Sequence, residues 1–300
     1  MLRTPLRQSA WLSELTGRDV RLKLETLQPT FSYKIRGASN AVLRLRNRDP
    51  DRAARPALVT ASAGNHGRAL AYAARLAGLP LTIYASGHAP HVKIDAMRAE
   101  GADLRLCDDY DDAERRAKAH GGAVFISPYA HPDVIAGAGT VGLEIVEDWP
   151  EVDTIVVAVG GGGLISGIAI AARTAAAPVA IVGVEAAASA PFTAGLAAGR
   201  IVEVEVQPTL ADGLAGNLDP ETPTFDMVRA TVERIVRVSE DALRAAVAGV
   251  VLNERVVVEG AGSAGVAALL SRNVELGQRV AVVLSGANID PRVLAELLSA

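Results

Sequence analysis

Lys34 stands in the stretch PTFSYKIRGASN, residues 29–40, with aromatic neighbours at Phe31 and Tyr33. A lysine is ordinarily a solvated charge. In a desolvated or cationic pocket its amine loses the proton and becomes a nucleophile able to form an imine with a carbonyl group. Three turns rich in small residues could surround such an amine: ASAGNHG at 61–67, GGGGLISG at 160–167 and SGAN at 285–288. In the second, Gly160, Gly161, Gly162 and Gly163 offer successive backbone N–H groups beside a helix start, an arrangement suited to a phosphate. Four glycines cost backbone entropy on folding, so a turn kept for packing alone is the weaker explanation.

The residues after the glycines constrain the kind of phosphate. A nucleoside-triphosphate loop needs Lys and Ser or Thr after its last glycine, whereas Gly167 is followed by Ile168 and Ala169. The dinucleotide pattern G-x-G-x-x-G, started at Gly160, Gly161 or Gly162, fails at Ile165, Ser166 or Leu164. Glu185 does close the next strand at about the offset of a ribose-binding acid. A nicotinamide-binding protein is therefore a second candidate, but it leaves Lys34 unexplained.

The elements that must position these residues alternate. Strand-like runs fall at 57–62, 81–86, 103–108, 153–160, 179–185 and 279–286, and helix-like segments at 65–77, 90–100, 109–119, 132–147 and 164–175. Continuous apolar strands separated by helices predict an α/β fold of open, mostly parallel sheets flanked by helices, with room for two sheets. In such sheets ligands bind at the carboxyl ends of strands. All three small-residue turns lie there. The charged stretches 44–55 and 108–120 read as solvated helix faces and linkers.

Composition narrows the partners. The chain has 300 residues, half of them hydrophobic, with 30 basic and 34 acidic side chains and a net charge of -4. Nothing there favours nucleic acid or an anionic membrane, and a small molecule is the expected partner. The uncharged run 155–172 is broken by four glycines and reads as strand, loop and helix, not as a membrane span. The single cysteine, Cys107, and a start without an apolar leader point to the cytoplasm.

Six segments together carry a resemblance. LKLETLQPTFSYKIRGASNAV (22–42), TASAGNHGRALAYAARLAG (60–78), VIAGAGTVGLEI (134–145), VVAVGGGGLISGIA (156–169), VEGAGSAGVAAL (258–269) and VLSGAN (283–288) resemble, in order, the motifs of the serine/threonine dehydratase and serine racemase family. This is a branch of the tryptophan-synthase-β-like, fold type II pyridoxal-phosphate enzymes. The resemblance implies pyridoxal 5'-phosphate held by Lys34 as a Schiff base, with Lys34 later the acid/base at Cα. It implies Tyr33 against the cofactor ring, Asn65 at the ring hydroxyl and Ser285 at the pyridine nitrogen. Gly160, Gly161, Gly162, Gly163 and Leu164 would hold the phosphate. Ser62, Ala63, Gly64, Asn65 and His66 would receive the substrate carboxylate. Taken singly, Asn65 with His66 also suits a helix cap, and Ser285 an ordinary turn.

The expected activity is that of an ammonia-lyase, a dehydratase that removes water from L-threonine or L-serine to give a 2-oxo acid and ammonia. A serine at the ring nitrogen, in place of an acid, favours passing electrons on to a leaving hydroxyl. A racemase of this family is the alternative, but it uses a serine where this chain has Ala63, and alanine moves no proton. Bulkier substrates stay open, among them 3-hydroxyaspartate, phenylserine and a hydroxyectoine-pathway compound. Departures at Phe31 (usually Gly), Tyr33 (usually Phe) and Ala138 (usually Gln) bear on that choice. Some relatives hold a divalent cation; Glu185 is a weak candidate ligand because the second acidic position falls at Pro191. The resemblance further implies a large domain, 1–39 with 131–300, a smaller mobile domain, 40–130, and a homodimer; because the sequence ends soon after SGANID, no C-terminal regulatory domain is expected.

Overall fold

The computed structural model of this chain describes residues 1–48, 56–89, 91–272 and 274–299. Residues 49–55 of the charged stretch 44–55, and Pro90 of the expected helix 90–100, lie outside the described residues.

Ten strands are described: β1 (Leu6–Gln8), β2 (Asp19–Leu24), β3 (Ala57–Ala61), β4 (Leu81–Ser86), β5 (Asp103–Cys107), β6 (Ala123–Phe125), β7 (Thr154–Ala158), β8 (Ala180–Ala186), β9 (Arg234–Val238) and β10 (Arg279–Leu284). They form a six-stranded sheet in the order β1-β2-β10-β7-β8-β9 and a four-stranded sheet in the order β5-β4-β3-β6. All pairings are parallel except that of the edge strand β1 with β2. Strand β7, TIVVA, is buried at every residue, as a strand covered by helices on both faces must be.

All six expected strands are present, with ends within two residues. Strands β1, β2, β6 and β9 were not anticipated. The helix expected over 164–175 runs Gly163–Ala172 and ends in a turn at Arg173. Asn65 is the first residue of the helix Asn65–Ala77 and not its cap; that place belongs to Gly64.

Three helices bring the chemistry-bearing residues together. The helix Lys34–Arg48 starts at the lysine itself, and Gly163–Ala172 starts in the glycine turn. Between them lies Pro132–Asp148, close-packed to both. A methyl group on Gly137 would lie 2.5 Å from the carbonyl oxygen of Arg36, and one on Gly167 would lie 2.5 Å from that of Ile135. Only glycine permits these approaches. The distance from the lysine helix to the glycine turn is thus fixed by backbone touching backbone.

Behind the lysine, Arg36 is fully buried and holds Glu25 by paired bonds of 2.7 Å each and Glu144 at 2.6 and 2.7 Å. Lys23, also fully buried, bonds Glu144 at 2.6 Å and the carbonyl of Thr4 at 2.7 Å. Two cations face two carboxylates. Removing one partner from such a set costs about 3–5 kcal/mol, because it strands a buried charge. This cluster anchors the first turns of the lysine helix against Pro132–Asp148.

Candidate active site

The lysine segment is docked on the turn that follows β10. The N–H of Tyr33 donates to the carbonyl of Ser285 at 3.0 Å, that of Ala287 donates to Phe31 at 2.9 Å, and Ser32 bridges Gly286. Tyr33, Lys34 and Ser285 are thereby neighbours, although 251 positions separate the last two in the sequence. The amine of Lys34 donates to the carbonyl of Pro128 at 2.8 Å and lies 5.1 Å from the centre of the Tyr33 ring.

One residue beyond Pro128, the ring of Tyr129 lies against the glycine turn. A methyl group on Gly161 would overlap the Tyr129 ring, and one on Gly163 would stand 2.6 Å from the Tyr129 carbonyl. Gly162 adopts φ +83°, a left-handed conformation that suits glycine. Its neighbour Gly161 accepts at 2.8 Å from the hydroxyl of Thr224. The phenol of Tyr129 accepts from the N–H of Asp219 at 3.1 Å, and burial pushes its pKa up to about 12. No side chain caps the helix that starts at Gly163, with Leu164 next. Its first N–H groups therefore remain available to an anion.

The loop 62–66 closes the third side. The hydroxyl of Ser62 accepts from Gly67 at 3.0 Å and from Gly64 at 3.3 Å, which folds the loop over its own side chain. Ala63 is half-buried. His66 is buried, with Nε2 3.3 Å from the carbonyl of Ile126. Burial first, and then the charge of Lys34, lower its pKa to about 3, so the ring is neutral at ordinary pH. Asn65 donates to Glu259 at 2.6 Å and accepts from Asn288 at 2.6 Å.

Glu259 was missed in the sequence. It is buried beside Gly286, at the cap position of the helix Gly260–Ser271. Burial, followed by the nearby charge of Asp212, raises its pKa to about 7, against the opposing pull of Lys93 and Asn65. The available signal was a lone acid immediately before the small-residue helix GAGSAGVAAL. Its partner Asn65 lies 194 positions away. Tyr129 was missed for the same reason, since its contact with Gly161 is purely tertiary.

A cavity of about 390 Å³ opens beyond Asn65, lined by Phe31, Arg68, Lys93, Asp212, Glu259 and Asn288 among others. Lys34, Ser285 and the glycine turn do not line it. It adjoins the lysine site at Asn65, Glu259 and Asn288, and has the place of an approach to it. Glu185, by contrast, spends both oxygens on the start of the helix Pro191–Ala198, accepting from Phe192 at 2.8 Å and from Thr193 at 2.9 and 2.6 Å. Among the described residues no three His, Cys, Asp or Glu side chains cluster as metal ligands.

An amine, an uncapped glycine turn and a buried polar loop in one neighbourhood fit an enzyme that holds a phosphorylated aldehyde cofactor. The orphaned polar atoms agree. Ser32 Oγ in the lysine segment, His66 Nδ1 in the loop and Ser166 Oγ in the first turn after the glycines are buried without a partner. Such groups are normally paired, and a bound polar molecule would complete them.

The chain matches the pyridoxal-phosphate dependent enzyme family over residues 1–286 and belongs to it. It is 42% identical to an L-threonine ammonia-lyase of Thermotoga maritima over 99% of this chain and 74% of that protein. It is 37% identical to an L-threo-3-hydroxyaspartate ammonia-lyase of a Pseudomonas species over 99% of this chain and 93% of that protein. The structure of maize serine racemase superposes with a TM-score of 0.89 at 32% identity, covering 99% of this chain and 92% of that one. Pyridoxal phosphate is the cofactor these residues fit.

Proposed function

We propose that this protein is a pyridoxal-phosphate-dependent ammonia-lyase that eliminates water from L-threonine or L-serine, yielding 2-oxobutanoate or pyruvate and ammonia. The observation that carries this is the placement of the Lys34 amine between the Ser285 turn and the Tyr129 strap over Gly161. The likeness to the T. maritima L-threonine ammonia-lyase supports the choice of reaction.

When bound, pyridoxal phosphate supplies a conjugated sink for the electron pair left at Cα. The first turn from Gly163 and Leu164, with Gly160 to Gly162 before it, binds the phosphate through backbone N–H groups. Lys34 would hold the cofactor and would serve as the base that takes the proton from Cα, its position already fixed by the helix it begins. Asn65 would hold the ring oxygen and Ser285 the ring nitrogen, and Tyr33 would wall the ring. The N–H groups at the start of Asn65–Ala77 receive the substrate carboxylate, and neutral His66 adds no charge of its own there. Ala63 offers no proton to the opposite face of Cα, which favours elimination over racemisation.

Arg68 favours a second substrate, 3-hydroxyaspartate. Its guanidinium lines the cavity, bonds the amide of Asn288 at 2.7 Å and stacks on Phe31 at 5.0 Å, and no ion pair to it is found among the described residues. A second carboxylate on the substrate would complete it.

The smaller lobe at 40–130 is supported by β3 to β6, which pair only with one another. No helix among the described residues is long and apolar enough to cross a membrane. The homodimer rests on the family resemblance, and the cytoplasmic location on the single cysteine, Cys107. The deciding experiment incubates the holoenzyme with L-threonine, L-serine and 3-hydroxyaspartate and measures 2-oxo acid and D-amino acid. Predominant D-amino acid would sink the proposal. So would a Lys34→Ala variant that keeps the visible cofactor absorbance.

A further inference from the structure

Four side chains on the wall of the cavity form one directed hydrogen-bond relay. Arg68 Nη1 donates to Asn288 Oδ1 at 2.7 Å, Asn288 Nδ2 donates to Asn65 Oδ1 at 2.6 Å, and Asn65 Nδ2 donates to Glu259 Oε1 at 2.6 Å. Asn288 Nδ2 also donates to the carbonyl of Thr30 at 3.0 Å, next to Phe31. The two ends dictate the direction. A guanidinium only donates, so Asn288 must turn its oxygen to Arg68. A carboxylate only accepts, so Asn65 must turn its nitrogen to Glu259. Aligned amides between a fixed cation and a fixed anion polarise one another.

We propose that Glu259 is a positioning residue which, as the carboxylate, locks the relay in this direction and leaves the second N–H of Asn65 as a donor to the ring oxygen of pyridoxal phosphate. This rests on the assignment of Asn65 to that oxygen under the proposed function. Protonated Glu259 is a weaker acceptor with no charge, and the lock is lost. The charged groups around it are Asp212, from the turn Asp212–Leu214, its ion-pair partner Lys93, from the helix His91–Ala99, and Arg68 at the far end of the relay; Asp290 lines the same cavity. Glu259 titrates near neutrality in this setting, so the lock opens and closes within the working range of pH.

The test is the pH dependence, from 5.5 to 9, of cofactor dissociation from the holoenzyme and of its visible absorbance. In the wild type cofactor binding tightens about tenfold through a step with its midpoint near 7, the change expected for gaining one charge-assisted hydrogen bond. Glu259→Gln keeps the size of the side chain and removes the step. Arg68→Gln keeps the step and moves its midpoint upward, because the far cation no longer favours the carboxylate. A step that persists in Glu259→Gln overturns the proposal, and so does an unmoved midpoint in Arg68→Gln; the second variant serves even where the first does not fold. Wild type that releases 2-oxo acid while Glu259→Gln retains the step defeats the relay alone. Wild type that binds cofactor with the Glu259-dependent step but releases no 2-oxo acid defeats the ammonia-lyase assignment alone.

Discussion

The amine of Lys34 is hydrogen-bonded at 2.8 Å to the carbonyl of Pro128, and the next residue, Tyr129, lays its ring on Gly161. The segment 127–131 therefore couples the lysine to the glycine turn, which is 126 positions from Lys34 at Gly160. It also makes the turn intolerant of any added atom. Gly161→Ala would drive a methyl group into the Tyr129 ring, and overpacking of this kind costs about 1–3 kcal/mol. We expect lowered stability to urea together with weakened cofactor retention. Unchanged cofactor retention in Gly161→Ala would show that the strap does not shape the phosphate cradle.

Phe31 holds φ 57° beneath Arg68, in the left-handed region where a bulky residue is uncommon. The resemblance placed a Gly here, and a left-handed backbone is one that suits glycine. Three effects compete in Phe31→Gly. Relief of left-handed strain contributes roughly 1–2 kcal/mol, the greater freedom of unfolded glycine takes back roughly 0.5–1, and the lost stacking of Arg68 takes back about 0.5–1. They nearly cancel, so stability should change by less than about 1 kcal/mol. Because Phe31 lines the cavity, the ratio of kcat/KM values for L-serine and bulkier hydroxy amino acids should move. A large stability loss with an unmoved ratio would refute this account.

An element is legible in the sequence when its stabilising partners lie close by in the chain. Strands such as β7 and β10 are continuous apolar runs because both faces are covered, and they were legible. Strand β2, DVRLKL, was not. Lys23 within it is buried only because Glu144, 121 positions away, neutralises it. Strand β9, RIVRV, has arginines inside an edge strand, and β6 is only three residues long. Within the site, Lys34 and the glycines were legible from their local motifs. Glu259 and Tyr129 were not, since each gains its meaning from one distant contact.

Glu259 also sets a stability term with a definite sign. Its carboxyl titrates near pH 7 in the folded protein and about 4.3 in the unfolded chain. The folded state thus binds the proton more tightly. The resulting stabilisation is fully present below the unfolded pKa and is lost as pH rises through about 7. The ceiling is on the order of 3 kcal/mol. Urea unfolding at pH 5.5 and pH 8.5 should show wild-type stability falling relative to Glu259→Gln between the two. A constant difference between wild type and variant would mean that Glu259 does not titrate in this range.

Under the proposed function, the choice between elimination and racemisation turns on Ala63. It is half-buried in the loop that begins at Ser62, beside Asn65 and His66, and carries no group able to hold a proton. His66 cannot stand in for it as an acid, because burial and Lys34 keep its ring neutral down to about pH 3. Ala63→Ser adds one hydroxyl at a half-buried position, so the fold should be retained within about 1 kcal/mol. The variant should release D-serine from L-serine at a rate at least tenfold above wild type, while formation of pyruvate falls, because a proton returned to Cα competes with departure of the hydroxyl. The comparison is read by chiral separation of the amino acid alongside the pyruvate assay. An Ala63→Ser variant that folds, binds cofactor and yields no more D-serine than wild type would mean that the outcome is set elsewhere in the site.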